Sequence, residues 1–356
     1  MNAPLKQLDL VGGRYEIDSY MAEGGMQYVY RARDKLTNRY VALKTPKNSS
    51  AVKRFRRSAI VAAKVNHPNV AKTLDYVREG EARYLIEELI VGEDLSGALL
   101  KHTKFVDPYL AARVFHHLAK GIAAAHRVDV VHRDIKPSNV MVAGGYDMLE
   151  VKVTDFGIAK LAKEELEEAV EGGSNTMSMS QTAVGALPYM SPEAIESPKY
   201  VTTATDIWSL GAMMYHLLTG ETPFGSGLRA VNKIMAIEIT PPPRFLTANP
   251  QFSTLATKLL ELSLSCMTRK ADERLIADEL VDRCGTLCYN SSPRIFGTVH
   301  RIDHGSYGFI NSESGEVFFH MESFYGPVRP KVGDRVMFSS YSGGRSPRAY
   351  PVVKVS

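Results

Sequence analysis

Four polar side chains carry the chemistry of this sequence. In His132-Arg133-Asp134-Ile135-Lys136-Pro137-Ser138-Asn139 a carboxylate, an ammonium and a carboxamide stand at positions 134, 136 and 139, and Asp155-Phe156-Gly157 follows after one short hairpin. In-line transfer of a γ-phosphoryl group needs such a set: an anion to orient the attacking hydroxyl, a cation near the transferred group, and oxygen ligands for Mg²⁺. Asp134 suits the first role, Lys136 the second, and Asn139 with Asp155 the third. Either short string arises by chance; both together at this spacing hardly do.

Such groups need rigid elements around them. Tyr15 to Leu43 reads as strands with the turn Met21 to Val29 between two of them, the place for a nucleotide-covering hairpin. Val52 to Val65 has helical spacing and ends before His67-Pro68, where proline forbids continuation. A strand at Tyr84 to Ile90 and helical periods at Tyr109 to His126, Ala204 to Leu218 and Phe252 to Cys266 predict a mostly α second lobe. Gly285 to Pro293 reads as a linker, and short alternating strands begin at Arg294. No internal repeat is present, and the one biased tract is Lys160 to Thr182.

The 356 residues suffice for a two-lobed enzyme and a small module. No apolar run approaches the roughly 20 residues that cross a bilayer, and Met1 to Leu10 lacks a signal-peptide pattern, so a cytoplasmic location without membrane contact is expected. Cys266, Cys284 and Cys288 lack metal-binding spacing and read as reduced, partly buried thiols. The net charge of +4 permits an acidic partner without requiring one.

From about Tyr15 to Cys284 the sequence resembles the protein kinases, specifically the eukaryotic-type Ser/Thr kinases of bacteria, because Lys136 lies two residues after Asp134. Val41-Ala42-Leu43-Lys44 matches the strand whose lysine contacts the α- and β-phosphates. Ser191-Pro192-Glu193, Asp206-Ile207-Trp208-Ser209 and Arg274 match elements that brace the lobe, Arg274 as partner of Glu193. The resemblance implies ATP and Mg²⁺ as cofactors and a protein substrate. Adenine would meet the Glu88 and Ile90 backbones between Ala42, Val29 and Met141, with Ala22, Gly24 and Gly25 over the phosphates. Ser180 and Thr182, in a segment that also offers Ser174, Thr176 and Ser178, look like autophosphorylation sites able to dock on Arg133. A merely polar, mobile loop is the alternative.

Three elements depart from the family pattern. Ala22 and Gln27 replace the outer glycines of the phosphate-covering turn, Gln27 at what reads as its least demanding position, and Ala186 replaces a threonine that steadies the catalytic aspartate and lysine. Ser58 fills the helix slot of the glutamate that pairs with the strand lysine, and Thr45 through Leu74 contains no acid at all. In Tyr84-Leu85-Ile86-Glu87-Glu88-Leu89 the family pattern puts Glu88 in the hinge and Glu87 at a position facing the pocket, where an acid is rare. A buried carboxylate needs a cation, so Glu87 is expected to replace the missing anion beside Lys44. The alternative is a one-residue strand offset that turns Glu87 to solvent.

Arg294 onward resembles a cold-shock domain, an OB-type barrel. Alternation in Gly305 to Ile310 and Val317 to Met321 puts Tyr307, Phe309, Phe318 and His320 on one face and Ile310, Val317 and Phe319 inside. Those exposed rings, with Arg301, would stack unpaired bases of single-stranded RNA or DNA; a barrel kept for docking is the alternative. The expected architecture is therefore α+β: an extension at 1–14, a two-lobed kinase domain at 15–284, a linker at 285–293 and an OB-type barrel at 294–356. The alternative to an active kinase is a nucleotide-binding pseudokinase scaffold whose output is the barrel or a partner; nucleic acid gating an active kinase is a third reading.

Overall fold

The computed structural model describes residues 4–23, 27–47, 55–56, 59–156, 185–197, 201–287, 289 and 291–355. Gly24, Gly25, Ser58, Ser180, Thr182 and Cys288 therefore lie outside the described residues.

The first lobe is a six-stranded sheet ordered β1-β2-β3-β4-β6-β5, from β1 (Leu10–Val11), β2 (Tyr15–Glu23), β3 (Gln27–Asp34), β4 (Arg39–Pro46), β5 (Thr73–Glu79) and β6 (Ala82–Glu88). Strand periodicity sorts its side chains onto two faces. Tyr30, Ala32, Val41, Leu43, Tyr84 and Ile86 build a core on one face. The alternate positions, Gln27, Val29, Ala42, Lys44, Leu85 and Glu87, are thereby turned to the other, where Leu85 packs on Phe55 and Ala59 of the described part of the predicted helix.

The second lobe is built on α1 (Pro108–His126), α2 (Thr203–Thr219), α3 (Arg229–Ala236), α4 (Pro250–Cys266) and α5 (Ala277–Gly285), beside a small sheet of β7 (Gly92–Asp94), β8 (Val140–Ala143) and β9 (Glu150–Val153). Asp107 caps α1 by accepting from the Tyr109 and Leu110 amides, with Pro108 at the first turn. Gly220 closes α2 in the left-handed region at φ 79°, a conformation that suits glycine. Burial pushes the free Cys266 and Cys284 thiols up to about 12, as expected of inert reduced cysteines.

The third unit is a closed barrel ordered β10-β11-β12-β14-β13, from β10 (Ile295–Asp303), β11 (Tyr307–Ser312), β12 (Gly315–His320), β13 (Arg335–Tyr341) and β14 (Arg348–Lys354). Ile310, Val317 and Phe319 point inward with Val299, Val336, Phe338 and Val352. The α+β class and the two-lobed fold followed by an OB-type barrel are as the sequence indicates.

The barrel is not merely tethered. Met337, Val353 and Val355 join the core of the second lobe, and Tyr325 packs among Phe105, Phe245 and Phe252 at centroid distances of 5.8, 5.5 and 5.0 Å. Tyr350 stacks on Phe252 and shares a 2.7 Å hydroxyl contact with Tyr109. Arg294 pairs with Asp107, its Nη2 reaching both carboxylate oxygens at 2.9 Å, with side-chain exposures of only 2% and 0%.

Candidate active site and nucleic-acid interface

Lys44 projects from β4 into the cleft with Nζ 2.6 Å from Glu87 Oε2 and 2.9 Å from Asp155 Oδ1. The pairing follows from register. Ala42 lies opposite Glu87 and Lys44 opposite Leu85, so Lys44 and Glu87 are diagonal neighbours on one face, within reach of two long side chains. The expectation that Glu87 turns to the pocket and meets Lys44 agrees with this geometry; the solvent-facing alternative does not.

Burial sets the electrostatics of this trio. Desolvation pushes the Glu87 carboxyl above its ordinary range, against the pull of Lys44. For Lys44, burial favours the neutral amine, but the carboxylates of Asp155 and Glu87 outweigh it and hold the ammonium strongly charged. Asp155 is likewise penalised by burial, yet Lys44 and then Gln27 keep it below the usual carboxylate range.

The loop from His132 to Asn139 is held from behind by α2. Asp206, in its first turn, accepts from the His132 and Arg133 amides at 2.8 Å each and lies 2.9 Å from His126. His132 reaches the Thr154 carbonyl at 2.8 Å, which fixes this loop against the strand leading to Asp155. Asn139 donates through Nδ2 to the Asp134 carbonyl and to Asp134 Oδ2, at 2.8 and 2.9 Å. Lys136 Nζ lies 2.8 Å from Asp134 Oδ2 as an ion pair, without the alignment of a hydrogen bond. Position 186, a buried alanine, adds no hydroxyl to this pair. Arg274 grips Glu193 through two guanidinium nitrogens at 2.6 and 2.9 Å.

The hinge side chain is fixed as well. Glu88 accepts from the Lys72 amide at 2.8 Å and from Lys152 Nζ at 2.6 Å. Ala42 and Ile90 are buried, Val29 and Met141 half-buried, and Ala22 is exposed on β2 opposite Val29.

Among the described residues no three His, Cys, Asp or Glu side chains gather as a self-sufficient metal site. Asn139 and Asp155 still fit Mg²⁺, which takes one or two protein oxygens and the rest from phosphate and water. With Nδ2 of Asn139 committed to Asp134, its other amide atom is the oxygen a cation takes.

Sequence reasoning undervalued one residue. Gln27 does not stand at an undemanding position: it is buried, and its Nε2 donates to Asp155 Oδ1 at 2.9 Å. Strand parity was the available signal, since Gln27 shares a face with Val29. It also missed the seam pair, although Asp107-Pro108 reads as a helix start.

On the barrel, β11 and β12 pair Tyr307 with His320 and Phe309 with Phe318. Tyr307, Phe309 and Phe318 form a half-exposed cluster with centroids 5.7 to 6.2 Å apart, and His320 is exposed. The Arg301 guanidinium lies 4.4 Å from the Phe309 ring centroid while paired with Asp303 at 2.9 Å. The residues packed on the second lobe, Tyr325, Met337, Tyr350 and Val353, are a different set, so the seam does not use the platform.

Residues 15–283 match the family model described as the protein kinase domain. This chain belongs to the protein kinase family. Residues 295–355 match the 'cold-shock' DNA-binding domain. A probable serine/threonine-protein kinase of Clostridium perfringens is 31% identical over 86% of this chain and 41% of its own length. The serine/threonine-protein kinase PkaA of Streptomyces coelicolor is 31% identical over 76% of this chain and 49% of its own. PrkC of Bacillus subtilis is 32% identical over 60% of this chain and 32% of its own. The chain thus spans half or less of these curated relatives. The crystal structure of Rad53 1-466 in complex with AMP-PNP shares the fold, at a TM-score of 0.59 and 21% identity, covering 76% of this chain and 64% of that one. Among the described residues no helix is long and apolar enough to cross a membrane.

Proposed function

We propose that this kinase-family chain is an active, cytoplasmic Ser/Thr protein kinase that takes ATP and Mg²⁺ and carries a module for single-stranded nucleic acid. The observation that carries the reading is the Lys44 contact with both Glu87 and Asp155, which supplies the anion missing from the helix beside the strand lysine.

In this reading adenine lies between Val29, Ala42 and Met141 against the hinge backbone of Glu88 and Ile90, beneath the turn holding Ala22, Gly24 and Gly25. Lys44 neutralises the α- and β-phosphates. Asn139 and Asp155 hold the metal, which when bound screens charge on the phosphates. Asp134 orients the acceptor hydroxyl of the protein substrate and takes its proton, and Lys136 steadies negative charge as the γ-phosphoryl group forms its bond to that oxygen and breaks its bond to the bridging oxygen, which leaves with ADP. Ser180 and Thr182 are autophosphorylated and dock on Arg133. On the barrel, Tyr307, Phe309, Phe318, His320 and Arg301 bind unpaired bases of RNA or DNA.

Incubation of the purified chain with labelled ATP and Mg²⁺ tests the activity. Asp134→Asn should lower phosphoryl transfer by roughly a thousandfold, about 4 kcal/mol of barrier, with nucleotide affinity little changed. Equal rates for the two proteins, or no transfer by wild type, would remove the assignment and favour a scaffold.

A further inference from the structure

Gln27 stands at the start of β3, at the cleft end of the phosphate-covering hairpin, and two features of it exceed the roles assigned above. The first is its target. Its Nε2 and Lys44 Nζ both meet Asp155 Oδ1, each at 2.9 Å. Two donors satisfy that oxygen, whereas among the described residues Oδ2 has only the Thr154 hydroxyl at 3.5 Å, the outer edge of a hydrogen bond. The aspartate is thus divided: one oxygen belongs to the protein, and the other is left for a cation.

The second feature is its own carbonyl oxygen. Gln27 Oε1 is buried and, among the described residues, meets no donor. A buried acceptor without a partner is unfavourable unless the site supplies one. Mg²⁺ keeps several of its waters when protein and phosphate bind it, and such a water is a donor of the right kind beside Asp155.

We propose that Gln27 is a positioning residue for the divalent cation: its amide pins Asp155 through Oδ1 so that Oδ2 faces the metal, and Oε1 receives a metal-bound water. The amide also ties β3 to Asp155. The family pattern has glycine at this position, which has no side chain to do either. The inference rests on the cleft binding nucleotide with Mg²⁺.

The test is the affinity of the full-length chain for a fluorescent ATP analogue, measured in EDTA and across a Mg²⁺ series. Gln27→Ala should need roughly tenfold more Mg²⁺ to reach half of the metal-dependent gain, as expected when a residue that orients a ligand is lost. Its affinity in EDTA should match wild type. Gln27→Glu keeps the size but presents an acceptor to Asp155, and should be impaired at least as much. An unchanged Mg²⁺ requirement in Gln27→Ala, an equal loss in EDTA, or tighter metal binding by Gln27→Glu, the mark of a direct ligand, would each overturn the proposal while leaving the kinase reading in place. A wild-type chain that binds the analogue in neither condition would remove both.

Discussion

Lys44 with Glu87 in the cleft and Arg294 with Asp107 at the seam are both buried ion pairs, yet one is open and the other closed. Both Asp107 oxygens take the Arg294 guanidinium, one of them also caps α1, and Ser339 lies 3.3 Å from the remaining terminal nitrogen of Arg294. Charge is matched one to one, although Arg294 Nε is buried without a hydrogen-bond partner among the described residues. Lys44 is a single cation shared by two carboxylates, and among the described residues one Asp155 oxygen has only the Thr154 hydroxyl at 3.5 Å. With both acids ionised the trio carries a net negative charge, which a divalent cation or its complex with phosphate would balance. Burial alone therefore does not separate a structural pair from a functional one; the balance of charge does. The closed pair stabilises a docked arrangement at a considerable desolvation cost, whereas the open one stays ready for a ligand.

That contrast can be broken at the seam first. Arg294→Ala leaves the buried Asp107 carboxylate without its cation and should lower stability by about 3–5 kcal/mol in denaturant unfolding. Trp208, the sole tryptophan, reports on the second lobe in that experiment. Arg294→Met with Asp107→Asn removes both charges but keeps a side chain able to cap α1, and should recover much of the loss. A full loss in the double variant would mean that the pair contributes more than mutual neutralisation. The smaller effect lies on the barrel's other surface, which the seam leaves exposed. Phe309→Ala should weaken binding of short unpaired RNA or DNA about tenfold, roughly 1.4 kcal/mol, in a fluorescence titration at low salt. Phosphoryl transfer should be unaffected. No oligonucleotide binding by the wild-type chain would make the barrel a docking surface instead.

How much of this was legible in the sequence depends on how local each signal is. Asp134, Lys136, Asn139 and Asp155 sit within one loop and one strand end, so spacing alone nearly places them. The Lys44 and Glu87 pair was legible because strand parity and family register together put both side chains on the cleft face, although they are 43 residues apart by their numbering. Barrel alternation sorted Phe309 from Ile310 in the same way. Gln27 was misjudged because a pattern of glycines describes what a turn permits, not what a long side chain there can reach. Arg294 and Asp107 were missed for a different reason: each looks ordinary where it stands, one before a strand and one before a helix. Their pairing exists only once the barrel packs on the second lobe. The segment 285–293 reads as a linker, and the chain is pinned immediately beyond it, with the Arg294 amide donating to Asp147 at 2.7 Å.

The central claim is that Glu87 supplies the anion the helix lacks, so that this cleft is catalytic. Transfer of label from ATP in Mg²⁺ by wild type, Glu87→Met and the double variant Glu87→Met with Ser58→Glu tests it most directly. Wild type should transfer. Glu87→Met should be slower by roughly a hundredfold, about 3 kcal/mol, less if water reaches the pair, and the added glutamate at position 58 should restore part of the rate. A Glu87→Met chain as active as wild type would contradict the account.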